Sequence, residues 1–381
     1  MTDKIKILLI SPLPPPLGGI ATWSSILLDY YSSAQGQFHI THQNSAIKYR
    51  KITDLSFSKR VLGGIKDTLT AVKELKHNIA TVNPDIIHLT SSASFALFKD
   101  LLLIQIAARK KKRIIIHFHF GRIPHMAKKK NWEWYLISKV ITKSTSVIVI
   151  DESSYNTLAV CGFKNIVNIP NPISAELEEI SQKLLERRVQ DQNRIVFVGH
   201  VVAAKGVFEL VESCATIPGK KELIFVGPYE QVVKDELIKR SEIKTKSRWI
   251  EFTGALDKNE VYRQIQNATV LILPSFSEGF PNVVLEAMAL GCPVIATNVG
   301  AIPEMLDINS DNPSGICVSP KNVTELSNAI VTLLNDSVKA TTMGNNGRKK
   351  ILNNYTISSI SGLYEKLWMD TIKNKDLKSW K

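Results

Sequence analysis

Apolar residues in this chain come in short unbroken blocks, separated by longer stretches with amphipathic spacing. The first block, KIKILLISP, opens on charge and stops at Pro12, and it reads as a buried parallel strand. A Pro- and Gly-rich loop, PLPPPLGG, follows. Next comes IATWSSILLDYYSS, whose apolar positions recur at helical intervals. DIIHLTSS around 85–92, RIIIHFHF around 113–120 and SVIVID around 146–151 are further strand blocks with helical stretches between them. The pattern restarts near residue 194. NRIVFVGHV is a strand and a turn, and KGVFELVESCATI a helix. ELIFVGP, WIEFTG, ATVLILPS, CPVIATN and GICVSP are strands. Alternating β and α predicts a parallel sheet covered on both faces, here twice over. The intervening NIPNPISAELEEISQKLLERRVQDQN has no buried-strand signal and contains Pro170 and Pro172, so the linker is placed there. Residues 359–381 follow an amphipathic helical pattern with Leu363, Leu367 and Trp368. Two tandem domains of this kind imply a cleft. Their ligands bind outside the carboxyl ends of strands, so functional residues belong in the strand-to-helix loops of both halves.

Composition narrows the class. The 381 residues are 44% hydrophobic and 22% charged, which suits two soluble domains of ~100–200 residues each and excludes disordered, collagen-like and disulfide-scaffold chains. No apolar run approaches the ~18–20 residues of a spanning helix. The stretch Ile7 to Ile10 is too short for a signal-peptide core. Cys161, Cys214, Cys292 and Cys317 are scattered, as ordinary thiols of a reducing cytoplasm would be.

Charge adds an asymmetry. The net charge is +13. Residues 1–170 hold 23 Lys and Arg against 10 Asp and Glu, whereas residues 171–381 hold 25 of each. The densest stretch, RKKKRIIIHFHFGRIPHMAKKK at 109–130, has nine basic residues and no acid, and Trp132, Trp134 and Tyr135 follow it. Basic side chains beside aromatics suit an anionic membrane surface, where each Lys or Arg is worth ~1 kcal/mol. Lys128, Lys129, Lys130, Trp132 and Trp134 are therefore the candidate membrane or acceptor surface. Nucleic acid is attracted by the same charge. The aromatics do not form a stacking platform, however, and no nucleic-acid partner is expected. A solvated basic face with no partner is the plain alternative.

The segment with most chemistry is 274–304, PSFSEGFPNVVLEAMALGCPVIATNVGAIPE. A strand ends at Pro274, and a loop carries Glu278 and Gly279. Pro281 fits a first helical turn, where its missing N–H costs nothing. The helix then runs through Glu286 to Gly291. Its first amides, around Gly279 to Val283, suit an anion. Carboxylates on both sides of a helix N-terminus match a ligand with hydroxyls at each end and phosphate between, the outline of a nucleotide sugar.

The string E-G-F-P-N-V-V-L-E-A-M-A resembles the E-x7-E signature of retaining glycosyltransferases of family 4, which have the GT-B fold. The following A-T-N-V-G-A-I-P-E resembles that family's next strand and loop. A lone pair of glutamates at this spacing is common by chance; the full string is specific. The resemblance implies that Glu278 faces the donor sugar and Glu286 binds the ribose hydroxyls. Backbone near Gly279, Phe280, Pro281 and Asn282 would line the sugar site. FVGHVVAAKGVFEL, 197–210, is similar to the family's G-R-x-x-x-x-K-G turn, which implies that Gly199 and Lys205 meet the donor phosphates. His200 stands at the arginine position and lacks a forked guanidinium. Either the phosphates protonate it, or the site relies on Lys205 and backbone amides. PPLGGIATW resembles the N-terminal glycine loop, which implies that Gly18 and Gly19 approach the donor phosphate and the acceptor. HFHFG, 117–121, resembles the strand end where one histidine contacts the transferred sugar. His117 and His119 share strand parity. His119, nearer the C-terminal end, is chosen, although Phe120 before Gly121 leaves the register open, and His117 reads equally as a core histidine. H-x-H has no third metal ligand at motif spacing.

The chain has no D-x-D, no G-x-G-x-x-G and no Walker A sequence. The resemblance therefore implies metal-independent chemistry with no cofactor beyond the donor itself, UDP- or GDP-linked. It implies an α/β GT-B fold of two Rossmann-like doubly wound domains facing a central cleft. Residues 1–172 would bind the acceptor and 173–358 the donor, and the helix 359–381 would pack back on the first domain. Glu278, Lys205 and His119 would be catalytic, serving transfer of a hexose with retention to a saccharide or lipid-linked acceptor of cell-envelope polysaccharide or glycolipid synthesis. The enzyme would be cytoplasmic and peripheral on the inner face of the membrane. A nucleotide-sugar epimerase on the same fold, or a non-catalytic nucleotide-sugar-binding protein, is the alternative.

Overall fold

The computed structural model describes residues 4–15, 18–33, 36–46, 57–184, 193–242 and 249–373. The chain divides into two compact units, Met1–Asn171 with Ile360–Lys381, and Pro172–Ser359.

The first unit contains β1 (Ile5–Ser11), α1 (Gly19–Ser33), β2 (Phe38–Asn44), α2 (Phe57–Thr81), β3 (Ile86–Ser91), α3 (Ala96–Arg109), β4 (Arg113–Phe118), α4 (Ile123–Lys129), α5 (Trp132–Lys143), β5 (Ser146–Val149), α6 (Glu152–Val160) and β6 (Ile166–Asn168). Its six strands pair in parallel in the order β2-β1-β3-β4-β5-β6. Continuous apolar runs are what a strand buried on both faces requires, and all six residues of β3 are buried. On one face, Leu8, Ile87, Ile116 and Val147 pack against Leu75 of α2, Leu97 and Ile104 of α3 and Ile137 of α5.

The second unit contains α7 (Ala175–Lys183), β7 (Arg194–Val198), α8 (Val207–Thr216), β8 (Glu222–Val226), α9 (Gln231–Glu242), β9 (Ile250–Gly254), α10 (Lys258–Asn267), β10 (Val270–Leu273), α11 (Asn282–Ala289), β11 (Val294–Thr297), α12 (Ile302–Leu306), β12 (Gly315–Val318), α13 (Val323–Asn335) and α14 (Ser337–Asn354). Its strands, also parallel, run β12-β11-β10-β7-β8-β9. The order reverses between β7 and β10, whose exit loops therefore flank the topological switch point where ligands of such sheets bind. The first sheet reverses between β1 and β3 in the same way.

Part of the expected linker is folded. Ser174 accepts a hydrogen bond from the Leu177 amide at 3.3 Å and caps α7, and Leu177 is buried. Residues 185–192 of that segment lie outside the described residues. The last helix, α15 (Ile357–Lys373), buries Ile360, Tyr364, Trp368 and Thr371. Leu363, expected on its apolar face, points to solvent, and Tyr364 takes the inward position. Residues 374–381 of the expected helix lie outside the described residues. No helix among the described residues is long and apolar enough to cross a membrane.

Candidate functional site

In the second unit, β7 delivers Gly199 and His200, and a single 3-10 turn, Ala203–Lys205, follows. Gly206 then takes a left-handed φ of 68°. A Cβ there would run into the carbonyl oxygen of Pro274, so glycine lets this turn lie directly on the exit of β10. The Phe276 amide donates to the Ala204 carbonyl at 3.0 Å and ties the two loops together. As a result Lys205 and Glu278, 73 residues apart, meet at 2.6 Å between Nζ and Oε1. Glu278 is the better shielded of the two.

The loop is shaped from its other side by Gly300, which sequence reasoning did not place in the site. Gly300 has φ 57°, and a Cβ on it would collide with the carbonyl oxygens of Glu278 and Gly279. The neighbouring Ala301 amide donates to Gly279 O at 2.9 Å. The glycine between strand and helix in A-T-N-V-G-A-I-P-E was the available signal. Phe280 is buried, 5.8 Å from the Tyr355 ring. Pro281 is the N-cap of α11, with ψ 117°, and does not lie inside the first turn as expected. The fixed φ of proline suits either place, and its carbonyl accepts the Val284 amide at 3.0 Å. Asn282 begins α11, so the positive end of that helix opens beside the Lys205–Glu278 pair.

Glu286 lies one turn further in, half-buried. Burial pushes its carboxyl up to about 7 against the opposing pull of Lys258. The Lys258 ammonium is held by Glu176 at 2.8 Å and Ser174 at 3.1 Å. Tyr262, buried on α10, has its phenol pushed upward by burial and by the charge of Glu286. His200 is exposed and makes no side-chain hydrogen bond among the described residues.

In the first unit, Gly18 and Gly19 open α1, with the Thr22 amide on Gly18 O at 2.9 Å. Among the described residues, a Cβ on either would meet nothing within 4 Å. One turn on, buried Trp23 donates from Nε1 to the Tyr364 hydroxyl at 2.9 Å. Its ring lies 4.8 Å from both His117 and His119 and 5.8 Å from His88. His117 and His119 are 3.9 Å apart, so the shared face expected from parity is present. His117 is fully buried, and His119 is half-buried just past the end of β4. Both nitrogens of each ring, and Nε2 of His88, are shielded and have no hydrogen-bond partner among the described residues. Burial lowers His88 and His119 to about 3 and His117 well below its usual range, aided at His117 and His119 by neighbouring imidazoles. All three are neutral at physiological pH. His88 was not singled out, because one histidine in an apolar strand reads as core. Its signal appears only once β3 is paired with β4.

Lys128, Lys129 and Lys130 are exposed at the end of α4, and Trp132 is exposed at the start of α5. Trp134 differs from expectation. It packs against the core and the Phe163 ring at 6.3 Å, because residues two apart on a helix face opposite sides. Among the described residues no group of three or more His, Cys, Asp or Glu is arranged to hold a metal ion.

Two family models match the chain. Glycosyltransferase Family 4 matches residues 40–177, and Glycosyl transferases group 1 matches residues 178–350. The Bacillus subtilis protein TuaC, named for teichuronic acid biosynthesis, is 33% identical over 140 residues, 37% of this chain and 32% of that one. The uncharacterized glycosyltransferase MJ1178 of Methanocaldococcus jannaschii is 26% identical over 376 residues, 95% of this chain and 99% of that one. A Campylobacter jejuni enzyme named as an N,N'-diacetylbacillosaminyl-diphospho-undecaprenol alpha-1,3-N-acetylgalactosaminyltransferase is 26% identical over 221 residues, 56% of this chain and 55% of that one. Sucrose-phosphate synthase of Thermosynechococcus elongatus superposes with a TM-score of 0.77 at 19% identity, covering 97% of this chain and all of that one. HepE of Anabaena, solved with UDP-glucose, superposes at 0.69 with 18% identity over 96% of this chain and all of that one. The fold is the two-domain, Rossmann-like GT-B fold.

Proposed function

The chain belongs to the group 1, family 4 glycosyltransferases, and from that premise we propose that it transfers a hexose from a UDP- or GDP-linked donor, with retention of configuration and without a metal ion. The acceptor would be a saccharide or lipid-linked glycan of cell-envelope polysaccharide or glycolipid synthesis. The observation that carries this reading is the Lys205–Glu278 pair at the β7/β10 switch point, beside the N-terminus of α11. An ammonium and a helix N-terminus together neutralise a leaving diphosphate, the charge that grows as the anomeric C–O bond breaks. Once phosphate engages Lys205, Glu278 is released to accept hydrogen bonds from sugar hydroxyls, while Glu286 takes the ribose hydroxyls. The acceptor oxygen forms the new bond on the face the phosphate leaves, and the departing phosphate oxygen takes the acceptor's proton. No protein nucleophile is required. Gly18, Gly19 and His119 of the first unit would serve the acceptor and the transferred sugar. His119, neutral and with its ring nitrogens shielded, would act as a hydrogen-bonding group and not as an acid.

Support from relatives is of the same kind. HepE was solved with UDP-glucose, and the Campylobacter jejuni enzyme is named for a diphospho-undecaprenol acceptor. The test is incubation with UDP- and GDP-hexoses and a panel of soluble and undecaprenyl-linked saccharides, with EDTA, followed by NMR of the new anomeric centre. A product with the donor's anomeric configuration is expected. Inversion, or loss of activity on chelation with rescue by Mg²⁺, would refute the mechanism. Donor turnover without acceptor would favour an epimerase, and donor binding without turnover would favour a binding protein. The exposed His200, in place of a guanidinium, is the one feature on the side of that last reading.

A further inference from the structure

The first unit carries a second feature, where the starts of α3 and α5 meet. Phe95 and Phe98 at the start of α3 and Trp132 and Tyr135 at the start of α5 are 76%, 54%, 47% and 59% exposed. They form one patch. The Trp132 ring is 5.5 Å from Phe95 and stacks with Phe98 at 6.1 Å. Leu102, one turn beyond Phe98, extends it. Four large apolar side chains left in water need a reason, because a protein of this size has ample core in which to bury them.

The surrounding charge supplies one. Residues 86–150 contain twelve Lys and Arg but only two acids, Asp100 and Glu133. Both acids are turned inward. Asp100 is fully buried and accepts a hydrogen bond from Ser91 Oγ. Glu133 is buried, accepts from Ser94 Oγ at 2.8 Å and lies 3.5 Å from Arg122. No carboxylate of this stretch therefore faces outward. Lys128, Lys129 and Lys130 are exposed immediately before Trp132, and the Lys139 ammonium sits 4.2 Å over the Tyr135 ring.

We propose that this α3–α5 face is a docking surface for an anionic lipid bilayer. Phe95, Phe98, Trp132 and Tyr135 would sit at the boundary of headgroups and acyl chains, with Lys128, Lys129, Lys130 and Lys139 against lipid phosphates. Aromatic rings favour that depth because one edge is apolar and the other tolerates water, and lysines keep their charge at the headgroups. A protein partner would need complementary acids as well as an apolar surface. A nucleic acid would need free ring faces, whereas here Trp132 and Phe98 stack on each other. The proposal rests on this surface alone and does not depend on sugar transfer.

The test is co-sedimentation of the full chain with phosphatidylcholine vesicles, with and without phosphatidylglycerol, at low and high salt. Binding is expected only to the anionic vesicles and should weaken with salt, which screens over about 8 Å at physiological strength. Lys128→Glu/Lys129→Glu/Lys130→Glu and Phe95→Ser/Phe98→Ser/Trp132→Ser should each lower partitioning at least tenfold. All these side chains are exposed, so the circular dichroism spectrum and the donor-induced thermal shift should not change. Trp132→Phe should keep binding but lose part of the fluorescence quenching by brominated lipids. Equal sedimentation with both vesicle types, none with either, or binding indifferent to the two triple variants would overturn the proposal. So would a dimer in solution that the aromatic variant dissolves, or salt-sensitive binding to single-stranded RNA in place of vesicles.

Discussion

Glu286 holds a carboxyl that titrates near neutrality, an unusual position for an acid on the first turns of a helix. Its folded pKa lies above the unfolded value. The folded chain therefore keeps a proton that the unfolded chain releases, and this contribution to stability is lost as the pH rises from about 4.5 to about 7. Ribose hydroxyls donate to a carboxylate, so a bound donor favours the ionised form. Donor affinity is expected to rise between pH 6 and pH 8, measured by calorimetry. Glu286→Gln should remove that slope and weaken binding by about tenfold or more, the worth of a charge-assisted hydrogen bond. In the proposed mechanism Lys205 and Glu278 act on turnover, and Lys205 also holds the donor phosphates. Either change to alanine should lower transfer on the order of 10²–10³-fold. The double variant should lose less than the product of the two, because the residues are in contact. The two carboxylates and the lysine were legible in the sequence because each sits in a long specific string. Their ion pair was not, since it depends on the strand order β10-β7.

The elements were legible in proportion to how fully they are buried. β10 and β11 are buried at every position and read as plain apolar blocks. β2 and β6, at the two edges of the first sheet, were not anticipated. β2 is FHITHQN, with polar residues at four of its seven positions facing partial solvent, and β6 is three residues long. The segment of α7 follows Pro170 and Pro172 and has no buried-strand signal, so it reads as linker, yet Ser174 caps a helix there. Two expected outcomes belong to elements. The loop from β10 to α11 depends on Gly300, so Gly300→Ala should force Glu278 from its place. It should lower transfer at least tenfold with a modest loss of stability, read by kinetics and thermal melts. The histidines of β3 and β4 act on the fold. Their folded pKa values lie below the unfolded one, so the unfolded chain binds protons first. The stability they confer is then lost as the pH falls from about 6.5 toward about 3. Tryptophan fluorescence, with Trp23 and Trp368 packed on these rings, should report early acid unfolding of the first unit. His88→Phe should shift that midpoint to lower pH.

At the scale of the whole molecule, the excess charge of residues 1–170 and the neutrality of residues 171–381 separate two kinds of chemistry. Surface attraction in the first unit should be sensitive to salt. The proposed donor capture in the second would rest on a few close contacts around Lys205, Glu278 and Glu286 and should be much less so. The central claim is that a nucleotide sugar binds at those three residues. A thermal-shift titration with UDP-, GDP- and ADP-hexoses tests it directly, since a ligand specific for the folded state stabilises by RT ln(1 + [L]/Kd). The expected result is a concentration-dependent rise in Tm with a UDP- or GDP-hexose in EDTA, abolished in Lys205→Ala and reduced in Glu286→Gln. No rise with any nucleotide sugar, or a rise that both variants retain in full, would contradict it.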